Sequence, residues 1–103
     1  MTAEAPEGEV FEKTVKICNR RGLHARAAAK FVRMVEDCKQ SHDPLKVRVL
    51  KDEMDVCGSS IMGLLMLSAS IDTSIRIAVE GAAAEEVLAA LAALVERRFD
   101  EEA

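Results

Sequence analysis

The chain has 103 residues, half of them hydrophobic and about a third charged, with a formal net charge of −4. That length fits one small domain with a single core, and with no Trp or Tyr and only three Phe the chain is poorly equipped for base-stacking recognition of nucleic acid. The longest uncharged run, 56–71, is too short and too rich in serine for a membrane span. No basic region followed by an apolar stretch opens the chain, so no secretory signal is expected and the reading is a cytoplasmic protein.

Residues 1–9 carry three glutamates and read as a flexible acidic tail. Phe11, Lys13, Val15 and Ile17 share one parity, which predicts a half-buried strand over 11–18. Asn19, Arg20, Arg21 and Gly22 break it. Ala28, Phe31, Val32, Val35 and Cys38 then recur at helical spacing and predict an amphipathic helix over 25–38.

Ser41, His42, Asp43 and Pro44 form a turn cluster. Leu45, Val47 and Val49 alternate with Lys46 and Arg48 in a second strand, and an acidic turn leads to a short third one over 54–57. Ser59 and Ser60 precede an apolar helix over 61–67, and serine is a favoured N-cap. Ile75, Ile77 and Val79 mark a fourth strand. Val87, Leu88, Leu91, Leu94 and Val95 mark a last helix, with Glu85 and Glu86 in its first turn and Arg97 and Arg98 in its last.

The order is β-α-β-β-α-β-α. Strands with one polar parity predict an α+β open-faced β-sandwich: a four-stranded antiparallel sheet with three helices on one face and water on the other. The domain spans 10–99, and 100–103 read as an acidic C-terminal tail.

The three cysteines, Cys18, Cys38 and Cys57, are odd in number, widely spaced and without a C-x-x-C. They read as reduced, mostly buried thiols. His24 and His42 are not near a cysteine pair, so no metal site and no cofactor are expected.

Charge is the first functional signal. The stretch 13–35 holds seven basic residues and no acidic one, and His24 stands within it, after Gly22, at the junction of loop and helix. A ring there lies beside the unpaired N–H groups of a helix start, which favour an anion. Arg26 adds a planar guanidinium. The plain alternative is a surface histidine that only caps a helix. The chemical one is a nucleophilic imidazole that accepts a phosphoryl group. An ordinary imidazole titrates near about 6.5 and so is largely neutral at neutral pH. Phosphoryl transfer asks mainly for alignment and for charge stabilisation on the equatorial oxygens.

The run RGLHARAAAKFV, 21–32, resembles the active-site signature of HPr, the phosphocarrier family of the bacterial phosphoenolpyruvate-dependent phosphotransferase system. SSIMGLLMLSAS, 59–70, resembles the family's second signature, and the two stand in the expected order. The LLMLSAS and RRFDEE segments resemble the nitrogen-related branch. The resemblance, which covers 10–99, implies a phosphocarrier rather than an enzyme. His24 would be phosphorylated on Nδ1 by phosphorylated enzyme I and would pass the group to an EIIA-type acceptor. Arg26 would face the phosphate, Ser60 would be the regulatory serine of an HPr kinase/phosphorylase, and Leu23, Ala27, Ile61 and Met62 would dock partners on a monomer. The family usually has Pro where this chain has Ala27. Rival readings are a regulatory protein-binding module of the same fold, in which phosphorylation only modulates docking, and an RNA-binding α+β domain, which the missing aromatics disfavour. His42 reads as a solvated turn residue, and Asp52, Glu53 and Asp55 as a solvated hairpin.

Overall fold

The computed structural model describes residues 9–103. All of the tail expected over 1–9 except Glu9 lies outside them. The elements are β1 (Val10–Lys16), α1 (Ala25–Ser41), β2 (Leu45–Lys51), β3 (Met54–Cys57), α2 (Ile61–Met66), β4 (Ser74–Gly81) and α3 (Ala84–Glu96), followed by a 3-10 turn at Arg98–Asp100. The four strands form one antiparallel sheet in the order β1-β4-β2-β3. This is the expected open-faced sandwich.

Parity decides which face is covered. Val15 pairs with Ile75, and Val47 and Val49 pair with Val79 and Ile77. All six are buried. Side chains on a strand alternate between faces, so Glu12 and Arg76 fall on the open side, where they form an ion pair at 3.4 Å. Against the covered face lie Phe31 and Val35 of α1, Leu64 of α2, and Val87, Leu91 and Val95 of α3. Each such side chain contributes about 1.5–3 kcal/mol by leaving water.

Several boundaries differ from the sequence reading, among them the end of β1, which comes at Lys16 rather than at 18. Helix α1 continues past Cys38 to Ser41 because its last turn is polar and exposed, so apolar spacing does not register it. The His42 N–H closes that end by donating to the Cys38 carbonyl. Helix α3 stops at Glu96, which leaves Arg97 as C-cap and Arg98 beyond the helix. The chain turns there through three positive-φ residues, Arg98, Phe99 and Asp100, with Arg97 paired to Asp100 at 2.8 Å. That turn drives Phe99 into the core, where it is fully buried. The segment 100–103, expected as an acidic tail, is largely exposed but is held to the body by hydrogen bonds at Glu101 and Ala103.

The thiols are unpaired, yet none is fully buried: Cys18 and Cys38 are half-buried and Cys57 is exposed. Burial, helped by the neighbouring Asp37 charge, pushes the Cys38 thiol up. Among the described residues no helix is long and apolar enough to cross a membrane.

Candidate functional site

The loop 17–24 carries the candidate histidine, and two contacts fix its path. Gly22 has φ +70, and a Cβ there would meet the Ala69 carbonyl oxygen at 2.5 Å. Only glycine fits this position without strain. The next residue, Leu23, donates its N–H to the same carbonyl at 2.8 Å. The loop thus lies against the segment that leaves α2. From inside, the fully buried Asn19 donates its side-chain amide to the Gly22 carbonyl at 2.7 Å.

His24 is the N-cap of α1 in extended conformation. Its carbonyl accepts the Ala28 N–H at 2.8 Å and starts the helix. Its ring Nδ1 accepts the Arg26 N–H at 3.3 Å, a long bond. The side chain is 22% exposed, so an edge of the ring reaches solvent. Arg26 sits in the exposed first turn, and its side chain lines an open cleft of about 400 Å³ with Arg20, Arg21, Glu101, Glu102 and Ala103. The cleft unites three cations of the basic stretch with the carboxylates of Glu101 and Glu102.

Sequence reading missed the residue on the other side of the ring. Glu101 Oε2 lies 2.5 Å from His24 Nε2, and Glu101 Oε1 accepts from Asn19 Nδ2 at 2.9 Å. Burial alone would raise this carboxyl. The hydrogen bonds from Asn19 and His24, with the positive charge of His24 and Arg26, outweigh it and hold Glu101 below the ordinary carboxylate range. Two further bonds tie the segment down: Lys30 Nζ donates to the Phe99 carbonyl at 2.8 Å, and the Arg20 N–H to the Ala103 carbonyl at 2.8 Å. A bulky aromatic inside an acidic terminus, Phe99, was the available signal that this segment packs.

Ser60 is the N-cap of α2, as expected, and its Oγ accepts the Gly63 N–H at 2.9 Å. It does not lie beside His24. Lys39, fifteen residues along α1 from His24 and so about 22 Å of helix away, donates to the neighbouring Ser59 Oγ at 3.0 Å. The exit of α2, near Ala69, is the end that meets the histidine loop.

Of the four docking residues expected, two are misplaced. Leu23 and Ala27 are buried, at 5% and 0% exposure. Ala27 stands one turn before Phe31 on the inward face of α1, where its side chain fills the core and cannot meet a partner. Ile61 and Met62 are exposed, and Met66 joins them, while Leu64 points inward. His42 is a half-buried helix cap rather than a solvated turn residue, and it lines a groove between α1 and α3. Asp55 pairs with Arg48 at 2.7 Å on the exposed hairpin. Among the described residues no cluster of three His, Cys, Asp or Glu could hold a metal ion.

A family model described as the PTS HPr component phosphorylation site matches residues 11–97. The chain belongs to the HPr family. HPr-family membership makes it a phosphocarrier, a protein that itself carries the group, rather than a catalyst. Two relatives carry the two names of the family. The phosphocarrier protein HPr of Pseudomonas aeruginosa is 43% identical over 84% of this chain and 92% of its own length. The phosphocarrier protein NPr of Shewanella violacea is 36% identical over 88% and 94%. Among solved structures, HPr-C-His from Thermoanaerobacter tengcongensis superposes with a TM-score of 0.80 at 36% identity, covering 90% of this chain and 99% of that one. The HPr of Bacillus anthracis gives 0.75 at 36%, over 84% and 98%. The helices and strands are therefore those of the HPr fold.

Proposed function

We propose that His24 takes a phosphoryl group on Nδ1 from phosphorylated enzyme I and hands it to an EIIA-type acceptor in the cytoplasm. The observation that carries this reading is the setting of the ring: partly exposed, at the start of α1, with Nδ1 acting as an acceptor and with its partner Glu101 lining a cleft that holds three arginines. In the transfer, the Nδ1 lone pair forms the new bond to phosphorus. The bond to the donor breaks, and its electron pair leaves with the donor. Arg26 supplies a planar, permanently charged group to the equatorial oxygens, and the first N–H groups of α1 add their partial charge.

Ile61, Met62 and Met66 form the docking patch in this reading. Thioethers adapt to several partners, as a carrier that must meet both a donor and an acceptor requires. Ser60 is the second modification site, acted on by an HPr kinase/phosphorylase. Its phosphate would stand at the edge of the patch and tax docking by the desolvation of a charge.

Incubation with phosphoenolpyruvate and enzyme I, followed by mapping of acid-labile phosphate, tests the reading. Label on His24 and none on His42 is the expected result. Label elsewhere, or none in the wild type, would overturn it, and tight enzyme I binding without label would favour the protein-binding module.

A further inference from the structure

Transfer through Nδ1 requires a lone pair on that nitrogen at the moment of attack. A neutral imidazole carries its proton on either nitrogen, and the partners of the ring decide which. The His24 ring has a different partner on each side. Nε2 lies against the Glu101 carboxylate, which only accepts. Nδ1 faces the Arg26 backbone N–H, which only donates. One neutral tautomer satisfies both: the proton on Nε2 and the lone pair on Nδ1.

We infer that Glu101 is a positioning residue, whose carboxylate holds His24 with Nε2 protonated and Nδ1 left as the nucleophile. The inference rests on the phosphoryl-transfer reading for its effect on rate, although the tautomer itself does not. It depends on the carboxylate being rigid, and the surrounding bonds make it so. Asn19 joins Glu101 Oε1 to the Gly22 carbonyl, so one buried amide braces both the segment that carries the carboxylate and the loop that carries the ring. Phe99 plugs the segment into the core two residues earlier, and Lys30 and Arg20 hold the backbone on either side. The same carboxylate also serves the next stage. Once the Nδ1 lone pair is committed to phosphorus and Nε2 keeps its proton, the ring gains positive charge, and a carboxylate on Nε2–H stabilises it.

The test uses the full chain with 15N-labelled histidine, as wild type, Glu101→Ala and Glu101→Gln. Ring nitrogen shifts and the Nε2-bound proton are read by NMR, and transfer rates with phosphoenolpyruvate and enzyme I are read alongside. In the wild type the neutral His24 ring is expected to be a single Nε2–H tautomer with an observable, hydrogen-bonded proton. Glu101→Ala should lose that proton signal, mix the tautomers and slow transfer about tenfold, the scale of one charge-assisted hydrogen bond. Glu101→Gln keeps an acceptor oxygen without the charge, so it should retain the tautomer and recover part of the rate. A proton on Nδ1 in the wild type would overturn the inference. So would a Glu101→Ala protein with wild-type ring shifts and rate, or one in which melting falls while the ring spectrum stays unchanged. A wild type that takes no phosphate but whose ring responds to Glu101→Ala would sink the transfer reading and leave the tautomer assignment standing.

Discussion

Two helices of this protein begin in the same way and are built for different ends. Both α1 and α2 start at an extended residue whose side chain accepts a backbone N–H of the first turn. At α2 the acceptor is the Ser60 hydroxyl, held to Gly63 at 2.9 Å, with Lys39 on the adjacent Ser59. At α1 it is an imidazole nitrogen on a longer bond, 3.3 Å, in a ring whose other nitrogen is backed by Glu101, a carboxylate that lines the arginine cleft. A short cap stabilises its helix and is consumed by doing so. A long one leaves the lone pair accessible. The contrast shows that a helix start becomes a reactive site when the capping atom is not fully committed to the cap.

The sharpest way to break this contrast is to remove each cap in turn. His24→Ala should abolish transfer while the fold survives, and what melting it costs comes from the lost Glu101 pair rather than from the weak 3.3 Å cap. Ser60→Ala should keep transfer but lose about 1 kcal/mol of stability. Phosphate uptake and thermal melting of the two variants check both halves, and crossed results would erase the distinction. Next in size is Ser60→Asp. A carboxylate at the N-terminus of α2 suits the helix dipole, so melting should hold or rise, while affinity for enzyme I falls several-fold from charge beside Ile61 and Met62. Titration calorimetry reads it, and equal affinities would reduce Ser60 to a cap alone.

Acid gives a smaller effect. His24, Arg26 and Asn19 face Glu101 and hold its carboxyl below the ordinary range. A depressed carboxyl contributes stability that is complete above the ordinary glutamate range and is lost as pH falls through the lowered value. Glu101→Gln should therefore be less stable than wild type at neutral pH and lose that deficit in acid. Urea unfolding at several pH values would show the two curves converging. A constant gap would deny Glu101 its ionic role. Smallest is Ala27→Pro. Ala27 lies in the first turn of α1, before the i→i−4 bonds begin, so the change should alter stability by no more than about 1 kcal/mol. Collapse of the fold would mean that the buried position has no room for the ring.

Most of the fold was legible because its signals are local. Period-two parity marked β1, β2 and β4, and period-three-to-four spacing marked α1 and α3. The helix-start positions of His24 and Ser60 were legible for the same reason, since a helix start depends on a few adjacent residues. Leu23 and Ala27, docking residues only by resemblance, are buried and cannot meet a partner. The spacing of Ala27 to Phe31 and Val35 already placed it inward. Glu101 was beyond local reading, because it reaches His24 only after α3 folds back along β1 and Phe99 locks the turn behind it. Asn19 looked like a strand breaker, and only the folded chain shows its amide shared between loop and terminus.

The bond from the Arg20 N–H to the Ala103 carbonyl bears on how the protein should be handled. Polypeptide fused after Ala103 would leave from the rim of the arginine cleft, within reach of the imidazole and of any partner approaching it. An affinity tag placed there would become a competitor, and its charge would enter every measured transfer rate. Chain joined ahead of Val10 enters at the far end of β1, about 20 Å from the strand end that feeds the histidine loop. Labels, tethers and tags belong on that side.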